Sequence, residues 1–115
     1  MKIDEVAQVL KAKICTDVPY EGVEICVACG SDLMSDALAF GEDKGLLLTG
    51  LNNPQSIRTA EMMDIHCIVF VRNKIPTDAM LELAAERNMC LLSTKLTMFT
   101  ACGLLFQQGI KGGEG

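Results

Sequence analysis

One histidine stands in 115 residues, and no apolar stretch approaches the roughly 20 residues that a membrane-spanning helix needs. The first shortage removes the usual Ser-His and Cys-His pairings. His66 opens an apolar run, at the edge away from the loops where catalytic groups would gather. The second shortage argues against a membrane partner. No Walker-type or GxGxxG glycine pattern occurs, and no second CxxC completes the half zinc site that Cys26 and Cys29 would form. Carboxylates do not pair for acid–base work either, since Glu42 and Asp43 adjoin Lys44 in what reads as a solvated turn. The expectation is a protein that is not an enzyme, with no catalytic residues, no metal and no cofactor.

Positive charge is also short. Ten Lys and Arg against fifteen Asp and Glu leave a formal net charge of −5, a field that repels phosphate backbones and argues against nucleic acid as a partner. Asp4 and Glu5 stand where a signal peptide would carry its apolar stretch, so a cytoplasmic location is expected. What the chain has in plenty is apolar material: half of it is hydrophobic and 22% is charged, enough for one packed core. A single domain over 1–110 is expected, with the glycine-rich tail at 111–115 disordered. Of the six cysteines, Cys26, Cys67 and Cys90 lie in or beside apolar runs and read as reduced core thiols.

Four apolar runs set the architecture: 22–29, 45–50, 65–72 and 89–94, beginning about 22 residues apart, the length of a strand and its returning helix. Ser31 is placed to cap a helix over 32–40, with Leu33, Ala37 and Phe40 on one face. Asn53 before Pro54 opens a helix to about Met63, and Thr77 with Asp78 opens one ending near Arg87 and Asn88. A last helix starts at about Leu96, carries Phe99, Gly103 and Phe106 along one side, and is stopped by Gly109. Ile3, Val6, Ala7 and Leu10 mark an opening helix. The pattern predicts an α/β fold: three layers, a mainly parallel four-stranded sheet, and helices on both faces.

Ligands of parallel sheets bind beyond the carboxyl ends of the strands, where helix N-termini expose amides. Here that edge collects Cys29, Gly30, Ser31 and Asp32, then Thr49, Gly50, Asn52 and Asn53, then Arg72, Asn73 and Lys74, then Ser93, Thr94 and Lys95. Arg72 and Lys95 supply charge for an anion, and Gly50 allows close backbone approach. The same residue types are also what turns and caps require in any such fold. Cys29, at a strand end beside a helix start, is the candidate reactive thiol.

Residues 45 to 105, above all NNPQSIRTAEMMDI, the Pro76 turn with its helix, and LLSTKLTMFTACGLL, resemble the DRTGG domain; CGSDLMSDAL fits the same family's first helix. That domain is similar to the N-terminal part of HPr kinase/phosphorylase, and occurs between CBS domains of regulatory pyrophosphatases. The resemblance implies a non-catalytic regulatory or assembly domain, often dimeric, acting beside an enzyme. Where the family carries Asp-Arg and Thr-Gly-Gly, this chain has Leu51-Asn52-Asn53 and Val71-Arg72-Asn73. The expected function is a regulatory or ligand-sensing module for signalling, a homodimer that binds a partner enzyme or signalling protein, or a small anionic, nucleotide-like ligand, at its strand-end loops. Two alternatives stand beside it: a redox or metal-responsive protein using Cys29 with Cys26 or Cys102, and a purely structural dimerisation domain.

Overall fold

The computed structural model describes residues 1–39 and 45–112. Phe40 and the 42–44 turn named above lie outside them, as do residues 113–115. The elements run α1 (Ile3–Val9), β1 (Lys13–Ile14), β2 (Val27–Gly30), α2 (Met34–Leu38), β3 (Gly45–Thr49), α3 (Pro54–Met62), β4 (Cys67–Phe70), α4 (Asp78–Glu86), β5 (Cys90–Ser93) and α5 (Met98–Gln107).

The four expected strands are present and parallel, in the order β5-β4-β3-β2, and a fifth joins them: β1 pairs antiparallel with β5, Lys13 opposite Ser93 and Ile14 opposite Leu92. The sheet is therefore five-stranded rather than four-stranded. Two residues are too few for a period-2 pattern to register in a sequence.

Neighbouring parallel strands in sequence order send their crossover helices to one face when every crossover has the same hand. The alternation of buried side chains follows. Leu47, Ile68, Phe70 and Leu91 meet α2, α3 and α4 through Met34, Ala37, Ile57, Ala60, Met80 and Ala84. Leu46, Leu48, Cys67, Val69, Cys90 and Leu92 meet α1 and α5 through Ile3, Val6, Ala101 and Leu105. Both faces are covered, so β3 and β4 are buried along their whole length and read as continuous apolar runs.

Several boundaries move, each for a local reason. Residues 24–26 are not in the first parallel strand because the N-terminus holds them: Ile25 N–H donates to the Met1 carbonyl at 2.6 Å, and the Met1 ammonium meets Glu24 at 2.7 Å. Cys26, expected in the core, is exposed. Ser31 does not cap α2. Its hydroxyl accepts from Leu33 N–H at 3.1 Å in a tight turn, and the helix starts later, behind Leu33. Leu96 is likewise held in a loop, and α5 starts behind Thr97, whose Oγ1 accepts from Thr100 N–H at 3.3 Å. Ala101 and Leu105 form its inner face, so the Phe99, Gly103, Phe106 side points outward, with Phe99 88% and Phe106 70% exposed. Lys111, expected in the tail, pairs with β2: its N–H reaches the Cys26 carbonyl at 3.2 Å and its carbonyl accepts from Ala28 N–H at 2.9 Å.

The caps of α3 and α4 are as expected, with Asn53 Oδ1 accepting from Gln55 N–H at 2.9 Å and Thr77 Oγ1 from Met80 N–H at 3.3 Å. Replacing Asn53 by Ala is expected to cost about 1 kcal/mol in urea denaturation. Ile57→Ala, beneath the same helix in the core, is expected to cost about 2–5 kcal/mol.

Candidate functional site

The parallel strands end together, with Thr49, Phe70 and Ser93 in register across β3, β4 and β5. The polar residues beyond those ends divide into two groups, because the chain leaves β4 toward α4 and leaves β5 toward α5 on the opposite face.

The first group is closed on itself. Asp32 Oδ1 accepts from Gly50 N–H at 2.6 Å and from Thr49 Oγ1 at 3.2 Å, while Oδ2 faces Arg72 Nη1 at 3.3 Å. A Cβ at residue 50 would stand in the Arg72 guanidinium, so only glycine lets that group lie against the backbone. The Gly50 amide holds the Asp32 carboxyl below its ordinary range; partial burial opposes this, and Arg72 and then Thr49 reinforce it. Asn52 Nδ2 donates to the Ile75 carbonyl at 3.1 Å, and Asn53 is occupied as a cap. The structure thus places Asp32, Thr49, Gly50, Asn52 and Arg72 as braces between loops, while Ser31 and Asn53 are engaged within their own turn and cap. An anion approaching Arg72 meets a carboxylate already there.

The second group surrounds a cleft of about 460 Å³, lined by Lys11, Lys13, Cys15, Asn73, Ile75, Ser93, Thr94, Lys95 and Leu96. Arg72 and Asn73 are consecutive left-handed residues, with φ of 57° and 61°. Arg72 lies on Asp32, whereas Asn73 borders the cleft. Their amides tie this loop to the next: Arg72 N–H donates to the Leu96 carbonyl at 2.8 Å and Asn73 N–H to the Thr94 carbonyl at 2.9 Å. The buried Thr94 hydroxyl donates to the Leu10 carbonyl at 2.7 Å and accepts from Leu96 N–H at 3.2 Å, which fastens the α1–β1 turn to the end of β5. Lys11 follows α1 at φ 52°, a conformation common just past a helix end.

Of the residues expected at the ligand-binding edge, Asn73, Ser93, Thr94 and Lys95 line this cleft. Lys11, Lys13, Cys15 and Ile75 were not foreseen. The signal lay in Lys13 and Cys15, whose spacing of two puts side chains on one side of an extended segment, whereas Lys11 stands in the turn before it. Three lysines share the cleft with no carboxylate in its lining, and among the described residues none of the three forms an ion pair.

Cys29, the candidate reactive thiol, is half-buried at the end of β2. Burial pushes Cys29 above its ordinary value, with Cys102 and Asp36 adding, the direction that lowers the thiolate fraction at neutral pH. Cys67 and Cys90 are buried partners on adjacent strands, and the Cys67 thiol is raised by its hydrogen bond to Cys90 and by burial. His66 is exposed at the start of β4, 3.3 Å from Asp64. Among the described residues no three His, Cys, Asp or Glu side chains converge as a metal site, and no helix is long and apolar enough to cross a membrane.

No family model matches the chain, and no curated protein matches it. Its fold is similar to a solved structure of the CBS and DRTGG domains of the regulatory region of Clostridium perfringens pyrophosphatase, complexed with the activator diadenosine tetraphosphate. The TM-score is 0.71 at 15% identity, over 97% of this chain and 48% of that one, so the chain spans about half of its neighbour's length. The likeness supports a DRTGG-like fold.

Asp32→Asn is expected to lower stability at neutral pH, because a carboxyl with a depressed folded-state pKa stabilises above its unfolded value, near 3.9. The advantage of the parent chain over the variant should shrink as pH falls from about 4 through the folded-state pKa, measured by urea unfolding across an acid series.

Proposed function

We propose that the chain is a non-catalytic regulatory module of the DRTGG type that senses a small anionic ligand in the lysine cleft and reports it to a partner enzyme or signalling protein. The observation that carries this reading is the cleft itself. In a chain of net charge −5, three lysines gather around one cavity that lacks a carboxylate, beside Asn73 and Ser93. Cations so placed gain from an anion, and a concave, partly apolar cavity of this size lies within the range of small-molecule sites. The regulatory neighbour, whose structure holds a nucleotide activator, supports the same reading.

Thermal unfolding in the presence of phosphate, pyrophosphate and nucleotides tests it, since a ligand that binds only the folded state stabilises by about 2.7 kcal/mol at one hundred times its Kd. At least one anion is expected to raise the Tm, and Lys13→Gln and Lys95→Gln are each expected to reduce the rise. Both side chains are exposed, so neither change should unfold the chain. A flat response across the panel, or turnover of any of these compounds, overturns the reading.

Dimerisation is supported by α5. Phe99 and Phe106 are exposed with Gly103 between them, and a second copy crossing antiparallel at Gly103 would set each Phe99 beside the other chain's Phe106. Phe99→Asp is expected to shift the chain from dimer to monomer in sedimentation equilibrium without lowering its Tm. A monomeric parent chain would dismiss the pairing.

A further inference from the structure

We infer that the lysine cleft takes a phosphomonoester carried on one flat, apolar body, the chemistry of a mononucleoside monophosphate, an inference that rests on the anion-binding reading above. Three features of the cavity select this class. The first is charge. Lys11, Lys13 and Lys95 meet no carboxylate in the lining, and a dianion answers three cations better than a monoanion does. A terminal phosphate monoester is dianionic above its second pKa, near 6, whereas a diester carries a single charge.

The second feature is the wall. The cleft is lined mostly by apolar surface, to which Ile75 and Leu96 contribute alongside the alkyl stems of the lysines. Ile75 is 61% exposed, and its carbonyl is fixed by Asn52, so its backbone is anchored while its side chain stays uncovered. A sulfate- or phosphate-sized ion would leave that surface wet. A planar ring laid against it would not.

The third is size. About 460 Å³ lies toward the small end of ligand cavities, which run from about 300 to 1,000 Å³. It accommodates a single base, sugar and phosphate. A dinucleoside polyphosphate would extend beyond it.

One neutral donor, Asn73, and one acceptor, Ser93, complete the polar end. The Asn73 carboxamide makes no hydrogen bond among the described residues and borders the cavity, while the Ser93 hydroxyl already donates to the Lys74 carbonyl at 2.7 Å and keeps its lone pairs. The Thr94 hydroxyl is engaged with Leu10 and Leu96 and shapes the floor instead. The titratable groups facing the cleft are the three lysines and Cys15, whose thiol burial raises, with Lys13 opposing and Cys90 adding. The ligand's phosphate is therefore the group expected to change charge near pH 6.

Isothermal titration calorimetry of the full chain with inorganic phosphate, AMP, adenosine, cyclic AMP and diadenosine tetraphosphate tests the inference. AMP is expected to bind at least tenfold more tightly than phosphate, adenosine or cyclic AMP, and no more weakly than the dinucleotide. Its affinity should rise as pH passes upward through about 6, with no such rise for the cyclic diester. Lys95→Gln is expected to weaken AMP at least tenfold. Ile75→Asn should weaken AMP while leaving inorganic phosphate unchanged, and Arg72→Ala should alter neither. If phosphate binds as tightly as AMP, or Ile75→Asn has no effect, the ligand class is wrong while anion sensing stands. Absence of binding by every anion sinks both.

Discussion

Burial of β3 and β4 on both faces is the constraint on which the rest of the structure depends. Every position of those strands must be apolar or have its polar atoms paired, because an unpaired polar group there costs about 1–3 kcal/mol. Apart from the paired thiols of Cys67 and Cys90, polar chemistry is thereby expelled to the strand ends, where the Thr49 hydroxyl bonds to Asp32. The loops beyond are not free either. Asp32 links the first three strand ends, the amides of Arg72 and Asn73 link the third to the fourth, and Thr94 links the fourth to α1. A continuous hydrogen-bonded rim follows from a dry sheet.

The rim explains why one half of the edge is closed and the other open. Crossovers between neighbouring strands place α2, α3 and α4 on the same face, so the loops they spring from run side by side and satisfy one another. Only where α5 departs to the opposite face do two successive loops diverge. That is the point at which open α/β sheets leave a crevice. The cleft stands there, between residues 73–75 and 93–96, with the α1–β1 turn as its third side.

Much of this fold was legible in the sequence. Continuous apolar runs announced the parallel strands, and Asn53-Pro54 and Thr77 announced two helices, because capping is a local transaction between a side chain and an amide two or three residues on. Ser31 was misread for the same reason: a serine that caps and a serine that closes a turn use identical atoms, and only the pull of Gly50 on Asp32 separates them. The outward turn of Phe99 and Phe106 was not legible, since size marks a residue as apolar without saying that Ala101 and Leu105 fit the sheet more closely. The cleft was half legible. Asn73 and Thr94 lie where parallel strands end, whereas Lys11 and Lys13 arrive through β1, whose pairing with β5 joins residues some eighty positions apart.

Lysine on a short edge strand has an ordinary explanation, since charge at an unpaired edge discourages association with a second sheet. Lys13 fits it, being on β1 at the rim of the sheet. Lys11 and Lys95 do not, because neither belongs to a strand: one sits in the turn before β1 and the other in the loop after β5. Edge protection also works with side chains pointing to open solvent, and gives no reason for three cations to border one cavity or for that cavity to exclude every carboxylate of an acidic chain. Fold likeness is silent on the matter, as 15% identity preserves the layers and not their side chains. Edge protection therefore accounts for Lys13 and not for the cluster, and a cluster that it does not explain is where a ligand should be sought.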